Sequence, residues 1–178
     1  MDITYSWLRW ECDAGGMREV AIGLGVLLSA LGSGLVAGFF YAFSTTVMKS
    51  LGKLPPPQGI AAMQTINVVV INPWFLSVFL GTAVACLCSI IAAVLRWQRP
   101  GAGYALVGAL LYLVGTVLVT MLFNVPRNDA LAAVEPHSAQ AAAFWAEYLS
   151  TWTLWNHVRT AAAIAAAALF SVTLLQRS

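Results

Sequence analysis

Charge is what this chain has least of. Of its 178 residues nine are Lys or Arg and seven are Asp or Glu, 9% in all, where an ordinary soluble domain carries about a quarter. That shortage excludes a water-soluble globular domain. The nine basic residues are scattered, with no run that could track a phosphate backbone, so nucleic acid is not an expected partner. Histidine is nearly as scarce. His137 and His157 are the two imidazoles, and Asp129, Glu135 and Glu147 lack the spacing of a metal cage, so nothing motivates a metal site. No His lies within a span except His157 at one mouth, which argues against haem. The three cysteines, Cys12, Cys86 and Cys88, give neither a zinc spacing nor a disulfide framework. Ser44 has no nucleophile elbow, and no Gly-rich phosphate cradle is present, so no cofactor is expected.

What the chain has instead is apolar length, with 60% hydrophobic residues. Three uncharged stretches are long enough to cross roughly 30 Å of hydrocarbon as helices, Val20–Phe43, Trp74–Leu95 and Tyr104–Phe123, and a fourth span is apolar from Ala161 to Leu175 and led into by the segment before it. The fold class expected is all-α, a four-helix transmembrane bundle with interfacial helices in the first and third loops. Residues 1–19, with Trp7, Trp10 and mixed charges, read as an interfacial lead-in that Gly15-Gly16 separates from a single membrane domain, 20–178. Ala30, Gly34 and Gly38 recur every four residues and predict a face for close helix packing, which also leaves room for a homo-oligomer. Lys49, Lys53 and Pro55-Pro56-Pro57 end the first span in a loop, and Gly59 to Asn72 has the pattern of a short helix lying on the membrane. Pro126 is expected to end the third span. From Ser138 an amphipathic segment bearing Phe144, Trp145, Tyr148 and Trp152 leads into the fourth.

Four crossings put Arg9, Arg18, Arg96, Arg99 and Arg177 on one side and Lys49, Lys53, Arg127 and Arg159 on the other. The short loop with Arg96 and Arg99 and no acid is expected to stay cytoplasmic, with both termini, in a bacterial inner (plasma) membrane. No ionisable residue falls in the middle of a span, which weakens a transporter reading.

The same count of crossings brings Ser44, Asn67, Asn72, Asn124, Asn128, Asn156, His157 and Arg159 to one end. The run Trp152-Thr153-Leu154-Trp155-Asn156-His157-Val158-Arg159 dominates it. On a helix Trp152, Asn156 and Arg159 share a stripe, with Thr153, His157 and Thr160 on the adjacent one. A plainer reading makes Trp152 and Trp155 interfacial anchors, Arg159 a snorkelling side chain, and Asn72 and Asn124 helix caps. Against it stands the concentration of amides, imidazole and guanidinium among aromatic rings, the materials for holding a flat, polar-tipped hydrophobic small molecule within the bilayer.

Four motifs in order, Gly38-Phe39-Phe40-Tyr41-Ala42-Phe43-Ser44, Ala62-Met63-Gln64-x-Ile66-Asn67 with Asn72-Pro73, Asn124-Val125-Pro126-x-Asn128, and Trp152-x-x-Trp155-Asn156-His157-Val158-Arg159, resemble those of the anthrone oxygenase-like family of small integral membrane proteins. The resemblance covers roughly residues 20 to 176. Fungal members are implicated in oxidising anthrones to anthraquinones with molecular oxygen and without a recognised metal or flavin. It implies a cofactor-independent oxygenase-like activity on an anthrone- or polyphenol-like molecule. His157 would then be the base, with Asn156 and Arg159 stabilising the anion. Tyr41, Ser44, Asn67, Asn72, Asn124, Asn128, Trp152 and Trp155 would line the substrate, and Trp152 and Trp155 would stack on it. Arg127 stands where relatives often have Leu. The alternative, from a different class, is a noncatalytic membrane protein that binds or assembles partners through its small-residue faces.

Overall fold

The computed structural model describes the backbone of residues 3–176 and the side chains of residues 16–176. Side chains of the N-terminal lead-in, Trp7, Arg9, Trp10 and Cys12 among them, and Arg177 lie outside the described residues. The described chain is helical throughout its ordered elements. Helix α1 (Ile3–Ala42) runs on through a π-helical turn (Phe43–Val47) and a last turn (Met48–Leu51). Helix α2 (Pro56–Val69) is short, and α3 (Pro73–Leu95) is the second crossing. Helix α4 starts at Ala102–Leu110, passes through two π-helical stretches, Leu111–Leu118 and Thr120–Asn124, and finishes as Val125–Ala132. Helix α5 (Ala141–Leu175) closes the bundle. Four of these helices, all but α2, are long and apolar enough to cross a membrane, and the protein is an integral membrane protein. Helix α5 is the hub, packing on α1, α4 and α2.

Three expected boundaries move. The backbone of α1 is helical straight through Gly15-Gly16, so no break precedes the first span. The first span ends at Leu51 rather than Phe43, because Lys49 is exposed on the final turn and Pro55 is the first residue that stops the helix. Pro126 does not end the third span. It falls on the first turn after a π stretch, where wider hydrogen-bonded rings relieve the clash a pyrrolidine makes in a regular helix. The Arg127 guanidinium Nη1 donates to the Phe123 carbonyl there, at 2.6 Å. The helical parts of the third loop are therefore extensions of α4 and α5 and form no separate interfacial helix. The first-loop helix is present as α2.

The face expected to pack on α1 is also corrected. Gly34 and Gly38 are exposed, with no atom near a Cβ built on either. The buried stripe is Ser29, Ser33, Val36, Phe40 and Ser44, rotated away from the glycines. Close approach happens at other small residues. A Cβ on Gly115 would lie 2.5 Å from the Ala162 methyl, so α4 and α5 touch almost backbone to backbone at that level. At the α3–α4 turn Gly101 has φ 84°, a left-handed conformation other residues resist, and its carbonyl accepts from Thr173 Oγ1.

On α4 the polar and aromatic residues Tyr112, Thr116, Thr120, Asn124 and Asn128 recur every four positions. A regular α-helix overshoots by roughly 40° for each four residues, so five such positions would wind almost half-way round the helix. The π turns are wider and take out that drift. As a result Tyr112, Thr116 and Asn124 are all buried, and Thr120 and Asn128 half-buried, along one line.

Gly115→Ala is expected to destabilise the bundle by about 1–3 kcal/mol through overpacking against a methyl that cannot rotate away, while Gly34→Ala and Gly38→Ala change it by under about 0.5 kcal/mol. Unfolding in mixed micelles measures all three. Equal losses would contradict the packing described.

Candidate functional site

The line of polar residues on α4 meets α1 and α5 at Arg159. A bilayer face set at Arg96 and Gln176 has its opposite face roughly 30 Å away. The twenty residues from Gln176 back to Asn156 cover that distance, at about 1.5 Å each. Arg159 therefore sits just inside the hydrocarbon edge, and it is only 3% exposed. It does not snorkel. Its Nη2 donates to Asn156 Oδ1 at 2.7 Å and its Nη1 to Thr120 Oγ1 at 3.1 Å. Its charged carbon lies 4.0 Å from the centre of the Phe40 ring and 5.1 Å from the Trp152 ring. The described residues give it no carboxylate partner, since their ion pairs join Glu19 to Arg96 and Arg99 at the other end. An arginine in a membrane interior costs about 3 kcal/mol. Two ring faces and two neutral acceptors offset part of that cost.

Asn156, fully buried, fixes the guanidinium's place. Its Nδ2 donates to the Phe40 carbonyl and to Ser44 Oγ, both at 2.7 Å, tying α5 to the π turn of α1. On the α4 side Thr116 Oγ1 donates to the Arg159 carbonyl at 3.3 Å, and Asn124 Nδ2 donates to the Trp152 carbonyl at 3.2 Å. Three helices thus converge here, two of them through π-helical turns, a deviation that recurs at functional sites.

Above the guanidinium a stack of rings leads outward. Trp152, Tyr148 and Trp145 follow one another with centroids 6.3 and 5.6 Å apart and planes 25° and 14° from parallel. Asn128 Oδ1 accepts from the Tyr148 hydroxyl at 2.9 Å and from Trp152 Nε1 at 2.8 Å. Asn67 of α2 makes no hydrogen bond through its Nδ2. Helix α2 can lie so close because Gly59 faces the Trp145 ring, where a Cβ would be 2.9 Å away.

Several buried polar atoms have no hydrogen-bond partner: Arg159 Nε, Asn124 Oδ1, Asn67 Nδ2 and Trp145 Nε1. Each such group carries a desolvation cost of about 1–3 kcal/mol. Arg159 and Asn124 together present one spare donor and one spare acceptor in the same polar cluster.

Of the residues expected from the sequence, Ser44, Asn124, Asn128, Trp152, Asn156 and Arg159 come together, with Asn67 at the rim. Four do not join them. His157 is exposed and makes no hydrogen bond among the described residues, because one step of about 100° along the helix turns it from Asn156 onto the outward stripe of Leu154, Val158 and Ile164. Two steps, about 200°, separate it from Arg159. Tyr41 is likewise outward, 56% exposed. Asn72 caps α3, accepting from the Phe75 amide at 3.0 Å and donating to the Val69 carbonyl. Trp155 is half-buried and stacks on Phe123, with centroids 3.5 Å apart. Phe40, Thr116, Thr120, Tyr148 and Trp145 belong to the site and were not expected in it. The four-residue spacing of polar side chains in an apolar span was the available signal for the two threonines.

Fold and site together define a four-span membrane protein built around a buried arginine. Residues 74–169, more than half of the chain, match the anthrone oxygenase family, and the chain belongs to that family. The matched segment runs from α3 through most of α5, so it contains Asn124, Asn128, Asn156 and Arg159 and leaves out Phe40 and Ser44. No curated protein and no solved structure matches the chain.

Asn128→Leu is expected to cost about 2 kcal/mol, since it strands the Tyr148 hydroxyl and the Trp152 indole N–H. His157→Ala should fall within about 0.5 kcal/mol of the parent. Thermal unfolding in detergent distinguishes them, and a large loss in the His157 variant with none at Asn128 would overturn this placement.

Proposed function

We propose that the protein is a membrane-embedded, oxygenase-like enzyme acting on a flat, lipid-soluble phenolic molecule of the anthrone type. The observation that carries this reading is the buried Arg159 guanidinium, which has no carboxylate partner among the described residues and keeps an unpartnered Nε–H, while an unpartnered Asn124 Oδ1 belongs to the residue one turn along α4 from the guanidinium's partner Thr120. A hydroxyanthrone offers the complement, a keto oxygen to accept from the guanidinium beside a phenol to donate to the amide. The ring system would lie against the Trp152, Tyr148 and Trp145 stack, reaching the guanidinium by displacing one of the rings that cover it.

In the reaction a ring methylene loses a proton to water, and the electron pair delocalises onto the oxygen held by Arg159. A cation at that oxygen makes the carbon acid stronger. Dioxygen takes up the electrons and bonds to the carbon. The peroxide anion takes a proton back from water and then loses water to leave the ketone, so that CH2 and O2 give C=O and H2O with no further oxidant. His157 is not assigned the base here, because a planar molecule on the guanidinium cannot also touch a side chain on the opposite side of the helix. The site lies at the end away from Arg96 and Arg99. With those arginines and both termini placed in the cytoplasm of a bacterium, it would open toward the outer face of the inner membrane.

A second reading rests on Gly34 and Gly38, which are open to a neighbouring helix and suit a noncatalytic assembly protein or a homo-oligomer. Oxygen uptake by purified protein given an anthrone separates the two. The enzyme reading expects uptake above the spontaneous rate, lowered about 100-fold or more in Arg159→Met as for loss of one anion-stabilising donor, with His157→Ala within twofold of the parent. Uptake equal in the folded Arg159→Met variant, or absent from the parent, would contradict it.

A further inference from the structure

The opposite end of the bundle carries a feature the polar cluster does not use. Between α1, α3 and the last turns of α5 the helices splay, leaving a cavity of about 810 Å³. Its floor is made of small side chains, Ala92, Ala93, Ala102 and Ala105, with Ser89 and Thr173. One wall is the apolar face of α1 from Val20 to Leu27, and Leu24 and Leu27 on it are exposed toward the bilayer. The rim is charged. Arg96 Nη1 pairs with Glu19 Oε1 at 2.5 Å, and Arg99 Nη2 approaches the same oxygen at 3.9 Å while its side chain stays 73% exposed. Arg18 lines an adjoining hollow with Arg96. Among the described residues two guanidiniums therefore share one carboxylate, with Arg18 beside the adjoining hollow, at the level where lipid phosphates lie.

An apolar groove that opens sideways to hydrocarbon and ends in excess positive charge is complementary to one kind of molecule, with a chain at one end and an anion at the other. We propose that this groove holds an anionic phospholipid, one acyl chain lying on the alanine floor against Val20–Leu27 and the phosphodiester bridging Arg96 and Arg99. A free phosphate would satisfy the rim and leave the groove empty. A zwitterionic lipid would fill the groove and bring its own cation to a rim that already has too many. The bound lipid then closes an edge between α1 and the bundle, and this role is independent of the chemistry assigned to Arg159.

Native mass spectrometry of the detergent-purified chain with phosphatidylglycerol or phosphatidylcholine of the same acyl chains tests the site. Phosphatidylglycerol adducts are expected to survive activation that strips phosphatidylcholine. Arg99→Gln, an exposed position that cannot threaten folding, should weaken retention about fivefold, as for one arginine at a lipid surface. Ala105→Leu, which fills the floor while keeping every charge, should also lose the adduct, and excess inorganic phosphate should not compete. Equal retention of the two lipids, retention unchanged in both variants, or displacement by inorganic phosphate would overturn the proposal.

Discussion

A guanidinium held inside a membrane with no counter-ion among the described residues is the constraint on which this structure turns. Arg159 is kept in place by the faces of Phe40 and Trp152, by the Asn156 amide oxygen and by the Thr120 hydroxyl. None of these groups is charged. They come from three helices, so the cation can be accommodated only when α1, α4 and α5 are all docked. The arrangement fixes the bundle and leaves the positive charge unneutralised by any described residue, the state in which a cation acts most strongly on an anion brought to it.

Maintaining that geometry explains the irregular helices. Helix α5 supplies Trp152, Asn156 and Arg159 at the ordinary period and needs no distortion. Helix α4 answers with side chains every four residues, a spacing that stays on one face only if the helix is locally wider, and it is π-helical over that stretch. Helix α1 does the same over one turn, where Ser44 meets Asn156. Small residues finish the fit: Gly115 lets α4 reach α5, and Gly59 lets α2 lie on Trp145.

Much of this was legible in the amino-acid sequence. The four crossings follow from apolar length, and the gathering of Ser44, Asn124, Asn128, Asn156 and Arg159 at one end follows from counting crossings. The buried stripe of Trp152, Asn156 and Arg159 follows from helical periodicity. What failed did so for identifiable reasons. His157 lies on the stripe next to Asn156 and Arg159, and periodicity alone does not say that the bundle's edge falls between the two, leaving His157 outward. Gly34 and Gly38 have the spacing of a packing motif, yet no spacing says which face of a helix meets the bundle and which meets lipid. Pro126 has a known effect on a regular helix, and the π turn before it could not be foreseen from the proline. The pairing of Phe40 with the guanidinium depends on two helices 116 residues apart along the chain in their Asn156–Phe40 contact, and no local pattern records it.

The two ends of the bundle now have different characters, a closed polar cluster at one and a splayed, basic-rimmed groove at the other. Only the first enters the proposed reaction. The central proposal is that Arg159 stabilises an oxyanion on a bound ligand, and a coloured product-like ligand reports on that directly. Absorbance titration of a dihydroxyanthraquinone bound to the purified protein should show its phenol ionising at lower pH than in protein-free micelles. The shift should disappear in Arg159→Gln and persist in His157→Ala. Ionisation at the same pH with and without protein, or an undiminished shift in the folded Arg159→Gln variant, would contradict the account.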